Sequence, residues 1–133
     1  NRDADIAGHA DRMITVVVGP EVLTGSTRMK AGTATKMVLN MLTTGAMVRL
    51  GKTYGNLMVD LQATNEKLVD RSLRIAMQVT GLSAGDAREL LERCGGELKT
   101  AIVSHKLGIN ADTARERLEA ADGRLRIALD VTG

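Results

Sequence analysis

The hydrophobic pattern divides the chain into two stretches of different character. Met13–Val18 (Met-Ile-Thr-Val-Val-Val) is a β-branched run stopped by Gly19-Pro20, and its uniform apolarity predicts a buried strand of the parallel-sheet type. A buried strand needs neighbours. Apart from the short apolar stretch Asn56–Leu61, read as a strand or an extended interface segment, the sequence offers none. The run is therefore expected to belong to a larger α/β protein of which this chain is a C-terminal piece, or to take its partners from another chain. Residues 19–27 read as a loop rich in turn formers and hydroxyls. From about Thr27 to Leu50 apolar residues fall nearly all round a helical wheel (Met37, Val38, Leu39, Met41, Leu42, Ala46, Met47, Val48), which predicts a buried helix. Arg49 in its last turn, Gly51 and Lys52 supply the expected C-terminal signals.

From about Thr64 the pattern becomes amphipathic with mixed charge. Thr64 or Asn65 can cap a helix running to about Thr80 and ended by Gly81. An internal repeat follows. Leu82-Ser83-Ala84 opens a helix containing Ala87 and Leu91, closed by Gly95-Gly96, and Leu98 and Ala101 begin another. The same features recur 27 positions on, at Ile109-Asn110-Ala111, Ala114, Leu118, Asp122-Gly123, Leu125 and Ala128. Each unit is too small to bury its own apolar stripe, so the copies must pack together or on the preceding helix. Residues 64–133 are thus expected to form a bundle of four or five helices of about 10–17 residues.

Composition narrows the function classes. With 44% hydrophobic and 26% charged residues over 133 positions, the chain has ordinary globular composition, which argues against wholesale disorder. No apolar run approaches about 18 residues and the start is not basic-then-apolar, so neither a membrane span nor a signal peptide is predicted. A single cysteine, Cys94, excludes an intrachain disulfide and fits a reducing compartment. It reads as a small buried residue at a helix end. His9 and His105 have no ligand spacing with it, so no metal site is expected. Tyr54, the only aromatic residue, leaves no stacking platform for single-stranded nucleic acid.

The charge distribution says more than its net of +2. Residues 22–59 carry Arg28, Lys30, Lys36, Arg49 and Lys52 and no acid. That is too sparse for a nucleic-acid stripe but suits either a solvated basic face or a site for a small anion. The informative stretch is Gly25-Ser26-Thr27-Arg28-Met29-Lys30. Ser26 or Thr27 at a helix start reads first as an N-cap. Arg28 and Lys30, placed in the first turn, would repel the positive end of the helix dipole unless an anion sat between them. Backbone N–H groups, the Ser26 and Thr27 hydroxyls and a cationic rim together suit a phosphate. Glu21 stands open between an orienting carboxylate and a loop-surface residue.

The stretch Gly19-Pro20-Glu21-Val22-Leu23-Thr24-Gly25-Ser26-Thr27-Arg28-Met29-Lys30-Ala31-Gly32-Thr33-Ala34-Thr35-Lys36 resembles the signature shared by the N-acetylmuramic acid 6-phosphate etherases and the glucokinase regulatory proteins. Asn40-Met41-Leu42, Tyr54–Asp60, Ala63–Leu68 and Lys99–Val103 resemble the bacterial etherases in particular. The resemblance implies a mainly α chain. Residues 1–60 would be the C-terminal end of an α/β sugar isomerase (SIS) domain, with Met13–Val18 its last strand. Residues 61–133 would be a small all-α, UBA-like domain, similar to ubiquitin-associated domains. It also implies a cytoplasmic, homodimeric lyase that cleaves the D-lactyl ether of N-acetylmuramic acid 6-phosphate to N-acetylglucosamine 6-phosphate and D-lactate, in cell-wall recycling. Neither metal nor organic cofactor is implied.

On that resemblance the catalytic glutamates and the serine-rich phosphate loops lie upstream of this chain, which alone is expected to be inactive. Glu21, Ser26, Thr27, Arg28 and Lys30 are then the residues expected to line the sugar-phosphate pocket, while Tyr54–Leu61 and the long apolar helix are expected at a subunit contact. The alternative class is a sugar-phosphate-binding regulatory module of the glucokinase regulatory protein type. A third is a helical module, residues 64–133, that binds protein partners.

Overall fold

The computed structural model describes residues 4–130. They form a 3₁₀ turn (Asp5–His9), a long helix α1 (Lys30–Arg49), a hairpin of β1 (Thr53–Tyr54) and β2 (Leu57–Met58), and helices α2 (Glu66–Thr80), α3 (Ala84–Arg93), α4 (Leu98–Leu107), α5 (Ala111–Ala120) and α6 (Leu125–Leu129). The chain is mainly helical, as expected, and divides into two compact units, residues 1–46 and 47–133. No helix among the described residues is long and apolar enough to cross a membrane.

In the first unit two expectations are corrected. Met13–Val18 is not a strand, and Ile14 and Val17 are more than half exposed. β-Structure is defined by ladder hydrogen bonds to a neighbour, and the only sheet among the described residues is the two-stranded hairpin. Composition can favour a strand, but it cannot supply the partner. Likewise α1 has no buried residue, although its apolar positions run round its circumference. An apolar girdle states that a helix wants covering on every side. Here one side of the helix, from Ala31 to Leu39, lines a cavity of about 390 Å³ together with Met13–Val16, Ala4 and Ile6.

The second unit holds the core. Its helices carry the local signals their sequences advertise. The Asn65 side-chain oxygen accepts from the Leu68 N–H at 3.0 Å, and Gly81, at φ 79°, closes α2 by donating to the Met77 carbonyl. Ser83 and Asn110 cap α3 and α5, accepting from the Asp86 and Thr113 N–H groups. The 27-residue repeat extends to the hydrogen bonds. Gly96 N–H reaches the Leu91 carbonyl at 2.8 Å, and Gly123 N–H reaches the Leu118 carbonyl at 2.7 Å. Ala87 and Ala114, Leu91 and Leu118, Cys94 and Ala121, Leu98 and Leu125, and Ala101 and Ala128 are all buried in equivalent places. The left-handed position after each first helix is Gly95 in one copy and Asp122, at φ 51°, in the other. Asp is among the few residues that tolerate that region.

Cys94 ends α3 and is 1% exposed, the small buried residue its context suggested. Burial pushes its thiol pKa up, which keeps it a packing residue. The hairpin joins this core through Val59, itself 1% exposed, with Tyr54, Leu57 and Leu61 packed beside it. β2 thus occupies the Asn56–Leu61 stretch, paired antiparallel with β1 in the register Thr53↔Met58 and Tyr54↔Leu57. Gly55, at φ 58°, takes the first position of the two-residue turn, where a positive φ is needed.

Candidate functional site

The loop of the first unit is organised around one carboxylate. Helix α1 begins at Lys30, so Thr27–Met29 form a turn before it and only Lys30 of the two cations lies in its first turn. The first N–H groups of a helix lack intrahelical acceptors. Glu21 provides them: its Oε2 accepts from Lys30 N–H and its Oε1 from Ala31 N–H, each at 3.0 Å. The next donor, Gly32 N–H, bonds the Thr27 carbonyl at 2.9 Å. A Cβ on Gly32 would lie 3.3 Å from that same oxygen, so a bare α-carbon suits the closure. The Lys30 ammonium folds back and donates to the Pro20 carbonyl at 2.8 Å.

The negative partner of the positive helix end is therefore an acid of the loop itself. The sequence pattern had placed two unmatched cations there. The structure places one, and the carboxylate that meets the helix end comes from Glu21, nine residues away. The hydrogen bonds from Ala31 N–H and then Lys30 N–H, with the nearby Lys30 charge, hold the Glu21 carboxyl below its ordinary pKa. Glu21, half-buried, thus caps the start of α1 from within the loop.

The five singled-out residues are thus brought into one loop but fall into two groups. Glu21 and Lys30 are engaged in building the turn. Ser26, half-buried, and Thr27 and Arg28, both exposed, make no side-chain hydrogen bond or ion pair among the described residues. Ser26 is positioned through its backbone, its N–H bonding the Leu23 carbonyl at 3.0 Å after Gly25 turns the chain at φ 86°. Two hydroxyls and a guanidinium on adjacent residues can bind an oxyanion by charge-assisted hydrogen bonds. Sequence reasoning missed the backbone carbonyl of Pro20 as a partner of Lys30. The Gly-Pro-Glu that opens the loop was the available signal. His9 and His105 are exposed, and no group of three metal-ligating side chains occurs among the described residues.

No protein-family model matches the chain. Among curated proteins it is 67% identical over 93 residues to an N-acetylmuramic acid 6-phosphate etherase of Rhodopirellula baltica, covering 70% of this chain and 31% of that protein. By sequence, the chain belongs with the C-terminal part of the N-acetylmuramic acid 6-phosphate etherases. Etherases of Symbiobacterium thermophilum and Rhizobium rhizogenes agree, at 61% identity over 104 residues and 57% over 103. These cover 78% and 77% of this chain, and 35% and 34% of the respective proteins. The chain spans about a third of the length of the etherases it matches.

Proposed function

We propose that this chain is the C-terminal portion of a cytoplasmic, homodimeric carbon–oxygen lyase that releases D-lactate from N-acetylmuramic acid 6-phosphate, leaving N-acetylglucosamine 6-phosphate. The observation that carries this reading is the 67% identity to an etherase over 93 residues. In this reading residues 1–60 close a SIS domain and residues 61–133 form its UBA-like companion. The catalytic acid and base come from outside this chain. Its share of the work is the phosphosugar loop. Ser26, Thr27 and Arg28 face the phosphate, while Glu21 and Lys30 fix the turn that presents them.

This division of labour follows from the hydrogen bonds. A carboxylate that already accepts from two helix N–H groups supports a framework role for Glu21. Arg28, without an acid among the described residues, is suited to a dianion. The test exchanges the C-terminal third of the Rhodopirellula baltica relative for this chain and assays D-lactate release. The chimera is expected to turn over. Arg28→Ala within it is expected to raise KM about 10- to 100-fold, the worth of a charged hydrogen bond of about 1.5–3 kcal/mol, with the melting temperature unchanged. A folded but inert chimera would refute the lyase reading. An unchanged KM would refute the role of Arg28.

A further inference from the structure

A second concentration of positive charge lies within the second unit, in residues that the loop does not involve. Arg49, Thr53, Tyr54, Arg124, Leu125 and Arg126 line a cavity of about 540 Å³, and no carboxylate lines it. Three arginines around one cavity repel each other unless solvent or an anion intervenes. Some cations of this unit find partners, while Lys67, Arg71, Arg88, Arg93 and Lys106 make none among the described residues. Lys52 and Lys99 pair with Asp60, Arg74 with Asp70, Arg115 with Glu97 and Asp112, and Arg117 donates to the Ala128 and Asp130 carbonyls. Arg49, Arg124 and Arg126 make no ion pair or side-chain hydrogen bond among the described residues.

The wall is built. A Cβ on Gly51 would fall 2.6 Å from Arg124 Cγ, so the Arg124 stem is seated against the backbone that enters the hairpin. Leu125 is 1% exposed and forms an apolar floor. Tyr54, half-buried and fixed by its pairing with Leu57, adds a ring face and a hydroxyl. The volume is within the range of about 300–1,000 Å³ of small-molecule sites and exceeds what a lone phosphate needs.

We propose that this cavity binds a small phosphate monoester, its phosphoryl group held by Arg49, Arg124 and Arg126 and its organic part against Tyr54 and Leu125. Guanidinium forks match phosphoryl oxygens two at a time, which a mere cationic surface does not. The site shares no residue with the Ser26–Arg28 loop and stands independently of the etherase reading.

The test is a titration of the whole chain with inorganic phosphate, glycerol 3-phosphate and glycerol, followed by amide chemical shifts and calorimetry. Saturable shifts confined to 53–55 and 124–127, from both phosphates and not from glycerol, are expected, with glycerol 3-phosphate the tighter. Arg124→Gln and Arg126→Gln should each weaken binding about 10-fold or more, and Arg28→Gln should leave these shifts untouched. Arg126→Lys keeps the charge and removes the fork. It too should weaken binding, and it serves if a glutamine variant unfolds. Shifts that never saturate, equal affinity in the Arg126→Lys variant, or loss of these shifts only in Arg28→Gln would overturn the proposal.

Discussion

At the scale of single residues, Glu21 shows how one side chain can be both a structural cap and the reason a neighbouring charge is tolerated. Its ionised form accepts both helix N–H groups, so its depressed pKa ties the start of α1 to pH. The sign follows from linkage. A carboxyl whose folded pKa lies below its unfolded value, about 4.3 for Glu, contributes stability that is fully present above that value. The contribution is lost as pH falls through the folded pKa. Helicity followed by circular dichroism is therefore expected to drop as the pH falls below about 4.3 and through the lower folded value, in part through α1. Glu21→Gln should remove that part of the drop while lowering helicity at pH 7. An unchanged acid profile in the variant would contradict the cap. Little of this was legible beforehand. Thr27 and Ser26 are the residues that ordinarily cap, and sequence distance hides an acid that returns from nine positions away. What could be read was the deficit, a helix start with a cation and no acid in its first turn, and the deficit was real even though its remedy lay inside the chain.

Elements differ in how far their own residues determine them. Helices α2–α6 could be read because most of their boundaries are carried in the sequence: Asn65, Ser83 and Asn110 as caps, Gly81, Gly96, Gly108 and Gly123 as stops. Their amphipathic faces have matching faces nearby in sequence, so local pattern and packing agree. Met13–Val18 and α1 have boundaries too, but their burial depends on surfaces that the first unit does not contain, and no local signal can provide those. The repeat makes a sharper prediction. Leu98 and Leu125 hold equivalent positions and are 2% and 1% exposed. Leu98→Ala and Leu125→Ala should each cost about 2–5 kcal/mol, the usual range for emptying a leucine site. Urea unfolding of the two variants measures it. A cost below about 1 kcal/mol at either site would mean that the two copies do not share the core equally. The final helix is only five residues long, so its stability comes from that packing and very little from propagation along its own backbone.

At the scale of the second unit as a whole, Asp60 binds elements far apart in sequence. Its Oδ2 meets Lys52 Nζ and its Oδ1 meets Lys99 Nζ, both at 2.8 Å. Lys99 also donates to the Gly123 carbonyl at 2.9 Å. The hairpin, α4 and the turn before α6 are thereby joined through one carboxylate. The hydrogen bond from Lys52 and then that from Lys99 hold Asp60 below its ordinary pKa, against partial burial. The groups are about a third exposed, apart from the more buried Lys99, so solvent screening limits the network to about 1 kcal/mol. Asp60→Asn is expected to lower the melting temperature of this unit by about 4–8 °C at pH 7. The difference should vanish as the pH falls below about 3.9 and through the folded value, where the native carboxyl is neutral as well. A difference that persists at pH 2 would point to packing instead of charge.

Two segments so alike raise a problem of mistaken identity while the chain folds, since either could settle in the place meant for its twin. The molecule distinguishes them by the company each keeps. Helix α2 packs on α3 and α4, the leading pair, whereas β1 leans on α6 of the trailing pair. Neither neighbour is itself duplicated. A swapped arrangement would leave α2 against the wrong copy and the hairpin without its seat, so uniqueness of the native state comes from the parts of the sequence that occur only once.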